Sequence, residues 1–548
     1  MALAALDGPV ERVLPDAPSW EAMRAAFRWP TPEHYNIVEE ACDRWARADP
    51  ARLALTDVAA DGRAREWAYG DLARSSARLA QALAAHGLSI GDRCAVLLPQ
   101  SAEVVLTHFA CYRLGAIVVP LFTLFGAEAL RYRLADAGVR VVVTDAENLA
   151  KIAEVRPDLP MLETVFSVDG PGPEALGFWQ ELERGRDALA ARATHPDDPA
   201  FLSYTSGTTG PPKGALHAHR VLLGHLPGVE SHHDGFPQPG DRMWTPADWA
   251  WMGGLANIML PALTYGVPLV AHRMGKFDPE RAFDLIARLG IRNAFLPPTA
   301  LKLMRQSGAR PRGASLRSVG SGGEALGAGL LEWGEEVLGL TINEFYGQTE
   351  CNLVLGNWSG RLPVRPGATG KPVPGHDVAV VDAEGTPVPD GEEGEIAVRA
   401  PDPAMFLRYW NLPEKTAEKF AGPWMRTGDL GRRDADGYFH FAARSDDVIT
   451  SSGYRIGPVE IEDCLTGHPD VAMAAVVGLP DPVRTEAIAA FVVPRPGADH
   501  GALPELLTSH VRARLSPHLA PRSVTLVEAL PMTATGKIMR RALKDAGA

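Results

Sequence analysis

Short apolar runs alternate with amphipathic helical stretches along this chain, and that alternation restricts it to folds in which helices cover a largely parallel sheet. Cys94 to Leu98 is one such run. A stretch with Val105, Phe109 and Tyr112 on one helical face follows, then a second run from Ile117 to Pro120. The pattern returns where Ala282, Leu285, Ile286 and Leu289 share a face ahead of Asn293 to Leu296. Parallel neighbours need a long crossover, which a helix supplies. Ser101 and Asp278 occupy helix N-cap positions in this reading.

The texture changes after Gly370. Short segments punctuated by turns such as Pro389-Asp390-Gly391 and Asp436-Gly437 point to a β-rich subdomain. A charged cluster from Arg444 to Asp447 follows, and the remainder returns to mixed α/β character with enough residues for a small domain. At 548 residues the chain far exceeds one hydrophobic core. The expected fold class is α/β. A large N-terminal domain, 1–445, holds helix-flanked sheets and the β-rich subdomain, and a small α/β C-terminal domain spans 446–548.

Composition narrows the partners. A net charge of −13 disfavours broad adhesion to nucleic acid or anionic membrane, so any anionic ligand must be met by a local positive site. The five cysteines are widely spaced and lack CxxC pairs, which suits reduced thiols rather than disulfides or zinc. Asp7 and Glu11 stand where a secretory signal would be basic and then apolar, and Pro261 and Pro268 interrupt the greasiest stretch, Ala256 to Ala271, which reads as buried core. The expectation is a cytoplasmic enzyme with no nucleic-acid partner and no stable membrane insertion. Homo-oligomerisation is left open.

The densest local signal is Tyr204-Thr205-Ser206-Gly207-Thr208-Thr209-Gly210-Pro211-Pro212-Lys213-Gly214, entered from the apolar Ala200-Phe201-Leu202. Glycines let backbone approach an anion, hydroxyls donate to phosphate oxygens, and Lys213 adds a point charge. A lone Gly-Thr-Thr-Gly would more often be a surface turn, but the whole string reads as a phosphate loop. It is not the Walker form, because Gly214 follows the lysine where that motif needs Ser or Thr.

With this loop in place, the chain resembles the adenylate-forming superfamily of acyl-CoA synthetases, peptide-synthetase adenylation domains and beetle luciferases. The resemblance continues through Ser321-Gly322-Gly323-Glu324, Glu344-Phe345-Tyr346-Gly347-Gln348-Thr349-Glu350, Arg426-Thr427-Gly428-Asp429, Arg444 to Glu462, and Pro531 to Arg541. Ala247-Asp248-Trp249-Ala250-Trp251 and Ser452-Gly453-Tyr454-Arg455-Ile456-Gly457-Pro458 look most like the medium-chain acyl-CoA synthetase branch.

That resemblance implies ATP-dependent ligation of a short-branched, medium-chain or aromatic carboxylic acid to coenzyme A through an acyl adenylate, with Mg²⁺. Transfer to a carrier-protein thiol is the alternative. Lys537, Glu350 and Thr205 form the implied catalytic set, with Glu350 also the magnesium ligand. Nucleotide contacts fall to Ser206, Gly207, Thr208, Thr209, Gly210 and Lys213 of the loop, and to Gly322, Gly323 and Glu324. Glu344, Phe345, Tyr346, Gly347, Gln348 and Thr349 continue that surface, and Asp429 and Arg444 meet the ribose. Arg455 meets ATP phosphates. The C-terminal domain is implied to be mobile about Asp446, bringing Lys537 in for adenylation and Ser452, Gly453 and Tyr454 for thioester formation. Arg484 is the implied partner of CoA phosphates, and Arg522 reads equally well as surface. Trp251 and Gly347 are the implied acyl contacts, with glycine at 347 leaving open a wall that tryptophan closes in acetate-selective relatives.

Three positions depart from the pattern. Ala443 replaces the usual glycine before the motif arginine, Thr485 follows Arg484 where glycine is common, and Leu519 stands where lysine is frequent. The histidines His217, His219, His232 and His233 have no metal-site partners at recognisable spacing and read as structural.

Overall fold

The computed structural model describes residues 12–205, 211–272, 274–311, 313, 316–444, 447–451, 454–481, 484–533 and 537–547, and within them the strands form four sheets. The first holds eight strands, and its parallel centre includes Arg93–Leu97, one residue earlier than the run expected at Cys94 to Leu98, and the expected Ile117–Pro120, with the helix Ala102–Leu114 between them. At one side it accepts an antiparallel hairpin, β1 (Pro199–Thr205) and β2 (Lys213–Ala218). The second sheet has nine strands. Its parallel stretch runs from Leu53–Val58 through Leu269–His272, Met243–Trp244 and Asn293–Phe295 to β3 (Ser318–Gly322) and β4 (Asn343–Gln348). There β5 (Cys351–Gly356) reverses it.

Helices lie between and outside these sheets because their apolar faces have nowhere else to go. The helix Pro279–Leu289 buries Ala282, Phe283, Leu285 and Ile286, and Asp278 caps it by accepting from Glu280 N and Arg281 N at 3.0 and 3.1 Å. Ser101 sits at the cap position of its helix, as read, without a side-chain cap bond. The stretch from Ala256 to Ala271 is buried apart from half-buried Pro268, as helical turns leading into the Leu269–His272 strand. Among the described residues no helix is long and apolar enough to cross a membrane.

The β-rich region forms the third sheet, antiparallel, in which β6 (Trp424–Arg433) pairs with β7 (Phe439–Arg444) and with the strand Glu393–Arg399. The remaining chain builds a separate small sheet from Ile449–Ser451, Tyr454–Ile456, Val471–Asp481, Thr485–Pro494 and Ser523–Leu526, covered by the helices Pro458–Thr466 and Leu503–Arg514. The molecule is thus a mixed α/β body of large sheets with a smaller C-terminal α/β unit.

Candidate active site

The phosphate-loop string begins and ends on the β1–β2 hairpin, where Thr205 pairs with Lys213 and Tyr204 with Gly214. Apolar Phe201 and Leu202 are fully buried and fix the hairpin in the sheet. Ser206, Gly207, Thr208, Thr209 and Gly210 lie outside the described residues. At the two ends, Thr205 Oγ1 donates to Lys213 O at 3.3 Å, and the Lys213 ammonium stands over the Tyr409 ring, 4.7 Å from its centroid. The Tyr409 hydroxyl in turn donates to Glu350 Oε1. Glu350 is buried in the turn between β4 and β5, and its carbonyl accepts from Phe406 N at 2.7 Å. Phosphate loop and acidic residue are therefore linked through one tyrosine.

A second group of residues converges where β4 faces β6. The Tyr346 hydroxyl donates to Asp429 Oδ2 at 2.5 Å, and Arg444, opposite Asp429 in the β6–β7 register, pairs with Asp429 Oδ1 at 3.1 Å. Burial raises the Asp429 carboxyl, and Arg444, Tyr346, Lys419 and Lys537 oppose that rise. Gln348 donates through Nε2 to Thr427 O at 2.9 Å, tying the two motif strands together. Ala443 is buried in β7 and pairs with Leu430, directly beside a register shift between Leu430 and Gly431, so its Cβ is accommodated where the ladder is irregular.

Lys537 comes from the C-terminal unit to the mouth of this region. It shares a recess with Trp251, Pro297, Pro298, Thr299, Gly322, Gly323 and Glu324. Gly323 has φ +98° at the end of β3, and a Cβ there would stand 3.1 Å from the Trp251 ring and 3.9 Å from Lys537 Cε, so only glycine keeps the recess open. Lys537 is exposed to the cleft as a residue, yet the protein packed around its ammonium lowers its pKa, against the carboxylates of Glu324, Asp429 and Glu350. Its loop is closed by Thr533 N donating to Lys537 O at 2.7 Å and by Lys537 N donating to Thr533 Oγ1 at 3.1 Å.

This arrangement can hold a polyanion, stack and pin a ring-and-sugar ligand, and place one ammonium over the junction. A model of the AMP-binding enzyme family matches residues 42–410, and one of the AMP-binding enzyme C-terminal domain matches residues 460–537. The chain belongs to the AMP-binding enzyme family. The mitochondrial acyl-coenzyme A synthetase ACSM3 of Mus musculus is 33% identical over 541 residues, covering 96% of this chain and 93% of that protein. Among solved structures, the anthranilate CoA ligase AuaEII in complex with anthranoyl-AMP is 32% identical with a TM-score of 0.86, over 94% of this chain and 98% of that one. The ATP-bound RpMatB-BxBclM chimera B1 is 30% identical with a TM-score of 0.84, over 94% and 99%. This AMP-binding enzyme is an acid–CoA ligase that works through an acyl adenylate, and the medium-chain acyl-CoA synthetase likeness read from its motifs holds.

Not every residue read from the sequence meets the site in the same way. Glu324 pairs with Lys302 at 3.7 Å and bears on Lys537, but Glu344 and Phe345 point into the wall. Burial pushes the Glu344 carboxyl up to about 8, with Asp463 of the C-terminal unit adding to the rise, while Phe345 packs on Phe295 and His232. Thr349 sits half-buried in the turn beside Glu350. At Gly347, read as an acyl contact, the backbone is crowded. A Cβ there would overlap Leu353 N and stand 2.7 Å from Asn352 Cα, so the glycine lets β5 pass close to β4 and no side chain can project from it as an acyl wall without moving that backbone.

Asp446, Ser452 and Gly453 lie outside the described residues. Tyr454 and Arg455 lie in the Tyr454–Ile456 strand, and their side chains are outside the description. Arg484 donates through its backbone to Asp481 Oδ1 at 2.8 Å, Thr485 takes a positive φ of 72°, and Arg522 is exposed. Two polar residues of the AMP-binding enzyme went unread in its sequence, Tyr409 and Lys419. The signal for Tyr409 was weak: one aromatic in the run Phe406-Leu407-Arg408-Tyr409-Trp410. Lys419 had none, being one lysine in a charged segment.

Proposed function

We propose that Lys537, Glu350 and the phosphate loop carry acyl adenylation of a short-branched, medium-chain or aromatic acid, and that the C-terminal unit then reorients about Asp446 for transfer to CoA. The observation that carries this reading is the placement of Lys537 beside Gly323 and Trp251, bearing on Glu324, Asp429 and Glu350. The acid's carboxylate attacks the α-phosphorus, one O–P bond forms, and the bond to the departing pyrophosphate breaks. Lys537 stabilises charge gathering there, while Tyr346, Asp429 and Arg444 hold the adenosine. In the second step the CoA sulfur attacks the acyl carbon and AMP leaves.

Among the described residues no three His, Cys, Asp or Glu side chains gather as a metal cage. This fits Mg²⁺, which is commonly held by one or two carboxylates and the substrate's own phosphates, here with Glu350 as the protein ligand. When bound it neutralises phosphate charge. Trp251 borders the acyl carboxylate side of the recess, and an aromatic acid is supported by the anthranilate CoA ligase likeness.

An acid panel with ATP, scored for AMP and for acyl-CoA, tests the reading. Formation of acyl-CoA from medium-chain or aromatic acids supports it. AMP without thioester from free CoA, together with acylation of a pantetheinylated carrier protein, would move the acceptor to the carrier.

A further inference from the structure

Lys419 has no counterpart among the motif residues, yet its ammonium reaches into the nucleotide site. It follows the helix Pro413–Ala417 and is half-buried. Nζ donates to three acceptors: Gln348 Oε1 at 3.1 Å, Arg426 O at 3.0 Å and Thr427 O at 3.3 Å. The first belongs to the Tyr346-bearing strand β4, and the other two to β6 just before Asp429. An ammonium has three donors, and here each one meets an acceptor on one of the two nucleotide strands.

The charges around it are those of the site. Loss of water lowers the Lys419 pKa; Glu350 and Asp429 oppose this, whereas Arg444 and Lys213 add to it. Lys419 thus shares one field with the magnesium-ligand candidate, the ribose carboxylate and the phosphate-loop lysine. Gln348, whose amide also donates to Thr427 O, could not keep both of its contacts without it. Lys415, four residues earlier, shows the ordinary alternative: it is exposed and pairs with Glu418.

We infer that Lys419 is a positioning residue for the nucleotide, pinning the Gln348 amide and the strand that carries Asp429, and adding fixed positive charge beside the bound phosphates. The inference rests on the nucleotide site proposed above. Because Lys419 belongs to the body rather than to the C-terminal unit, it acts in both half-reactions. That separates it from Lys537.

The test compares Lys419→Met and Lys419→Arg with Asp429→Asn and Lys415→Met in the full-length enzyme, using MgATP and a preferred acid. For Lys419→Met, KM for ATP should rise about tenfold, as expected for loss of charge-assisted bonds that leaves buried acceptors unpaired, with KM for the acid within about twofold. Pyrophosphate exchange and CoA transfer from supplied acyl adenylate should slow by similar factors. Lys419→Arg should recover part of the ATP KM, because it restores charge without the three-acceptor geometry, and Lys415→Met should match wild type. An unchanged ATP KM, or equal rises in the ATP and acid KM with a fallen Tm and no recovery in Lys419→Arg, would overturn the inference. Should Lys419→Met not fold, the arginine variant decides alone: an ATP KM equal to that of wild type, with both half-reactions intact, rejects the geometric role. If Asp429→Asn leaves ATP affinity untouched, the nucleotide site itself has been misplaced, and the fault lies there rather than with Lys419.

Discussion

The body and the C-terminal unit hold their functional groups by different means. In the body, Tyr346, Asp429 and Arg444 project from paired strands, and each is fixed by the next: hydroxyl to carboxylate, carboxylate to guanidinium. In the C-terminal unit, Lys537 sits on a loop closed by two bonds to Thr533 and backed by a single ionic clamp. Arg540 donates to both Glu462 oxygens at 2.8 and 2.7 Å and reaches Asp447 at 3.4 Å, next to the proposed hinge at Asp446. The difference teaches that a group needed throughout the reaction can be built into a sheet, whereas a group needed for one step can ride on a unit proposed to reorient between steps.

The largest effect should come from removing Lys537, the group proposed to travel. Lys537→Ala should cut pyrophosphate exchange about 100-fold or more, the scale for losing one preorganised charge at a transition state, while CoA transfer from supplied acyl adenylate falls far less. Equal losses in both half-reactions, measured on folded protein, would break the comparison by making Lys537 a fixed part of the site.

The same contrast explains what could be read in advance. The parallel sheets were legible because period and run length differ between helix and strand, and Asp278 capped where its side chain could reach two backbone amides. The motif strands were legible because several residue types recur in a fixed order. Lys419 and Tyr409 were not, since their roles arise from segments brought beside the motif strands by the third sheet and by the Arg408–Tyr409 pairing with β2. The crowding around Gly347 was hidden for a related reason. Whether a glycine opens a pocket or admits a neighbouring strand depends on register, which the sequence of one strand does not carry.

Gly347 offers the next test, now of the body's rigidity. Gly347→Trp should impair adenylation of acetate and of longer acids together and lower the body's Tm, because the side chain must displace the β5 backbone, an overpacking cost of about 1–3 kcal/mol or more. All twelve tryptophans lie before residue 425, so intrinsic fluorescence in the wild type reports the body alone. Retained activity with acetate and a selective loss for longer acids, without loss of Tm, would favour the acyl-wall role instead.

A smaller effect is expected at the clamp. Arg540→Met leaves Lys537 in place but frees its loop from Glu462 and from the segment beside the hinge. Pyrophosphate exchange should fall about tenfold, with KM for ATP changed little, since charge-assisted bonds of this kind contribute about 1.5–3 kcal/mol. A loss confined to CoA transfer would instead place the clamp in the second orientation.

The last contrast separates the two regions by pH. The body buries His108, His217, His219 and His232 completely, and burial holds each at about 3, below the ordinary 6.5. In the C-terminal unit His468 is only partly buried. A histidine whose folded pKa is depressed takes up its proton in the unfolded chain first. Stability is therefore full above about pH 6.5 and is lost as pH falls toward 3. Unfolding followed by tryptophan fluorescence should accordingly show the body weakening between pH 7.5 and 5. His217 stacks on Phe201 with centroids 4.9 Å apart, so His217→Phe keeps the ring and removes the titration. The variant should lose about 2 kcal/mol less than wild type over that interval, the value for one group moved from 6.5 to about 3 and read at pH 5. An identical pH dependence in the two proteins would mean that His217 is already reached by water in the folded body, and that the contrast between a closed body and an open C-terminal unit does not extend to the β1–β2 hairpin beneath the phosphate loop.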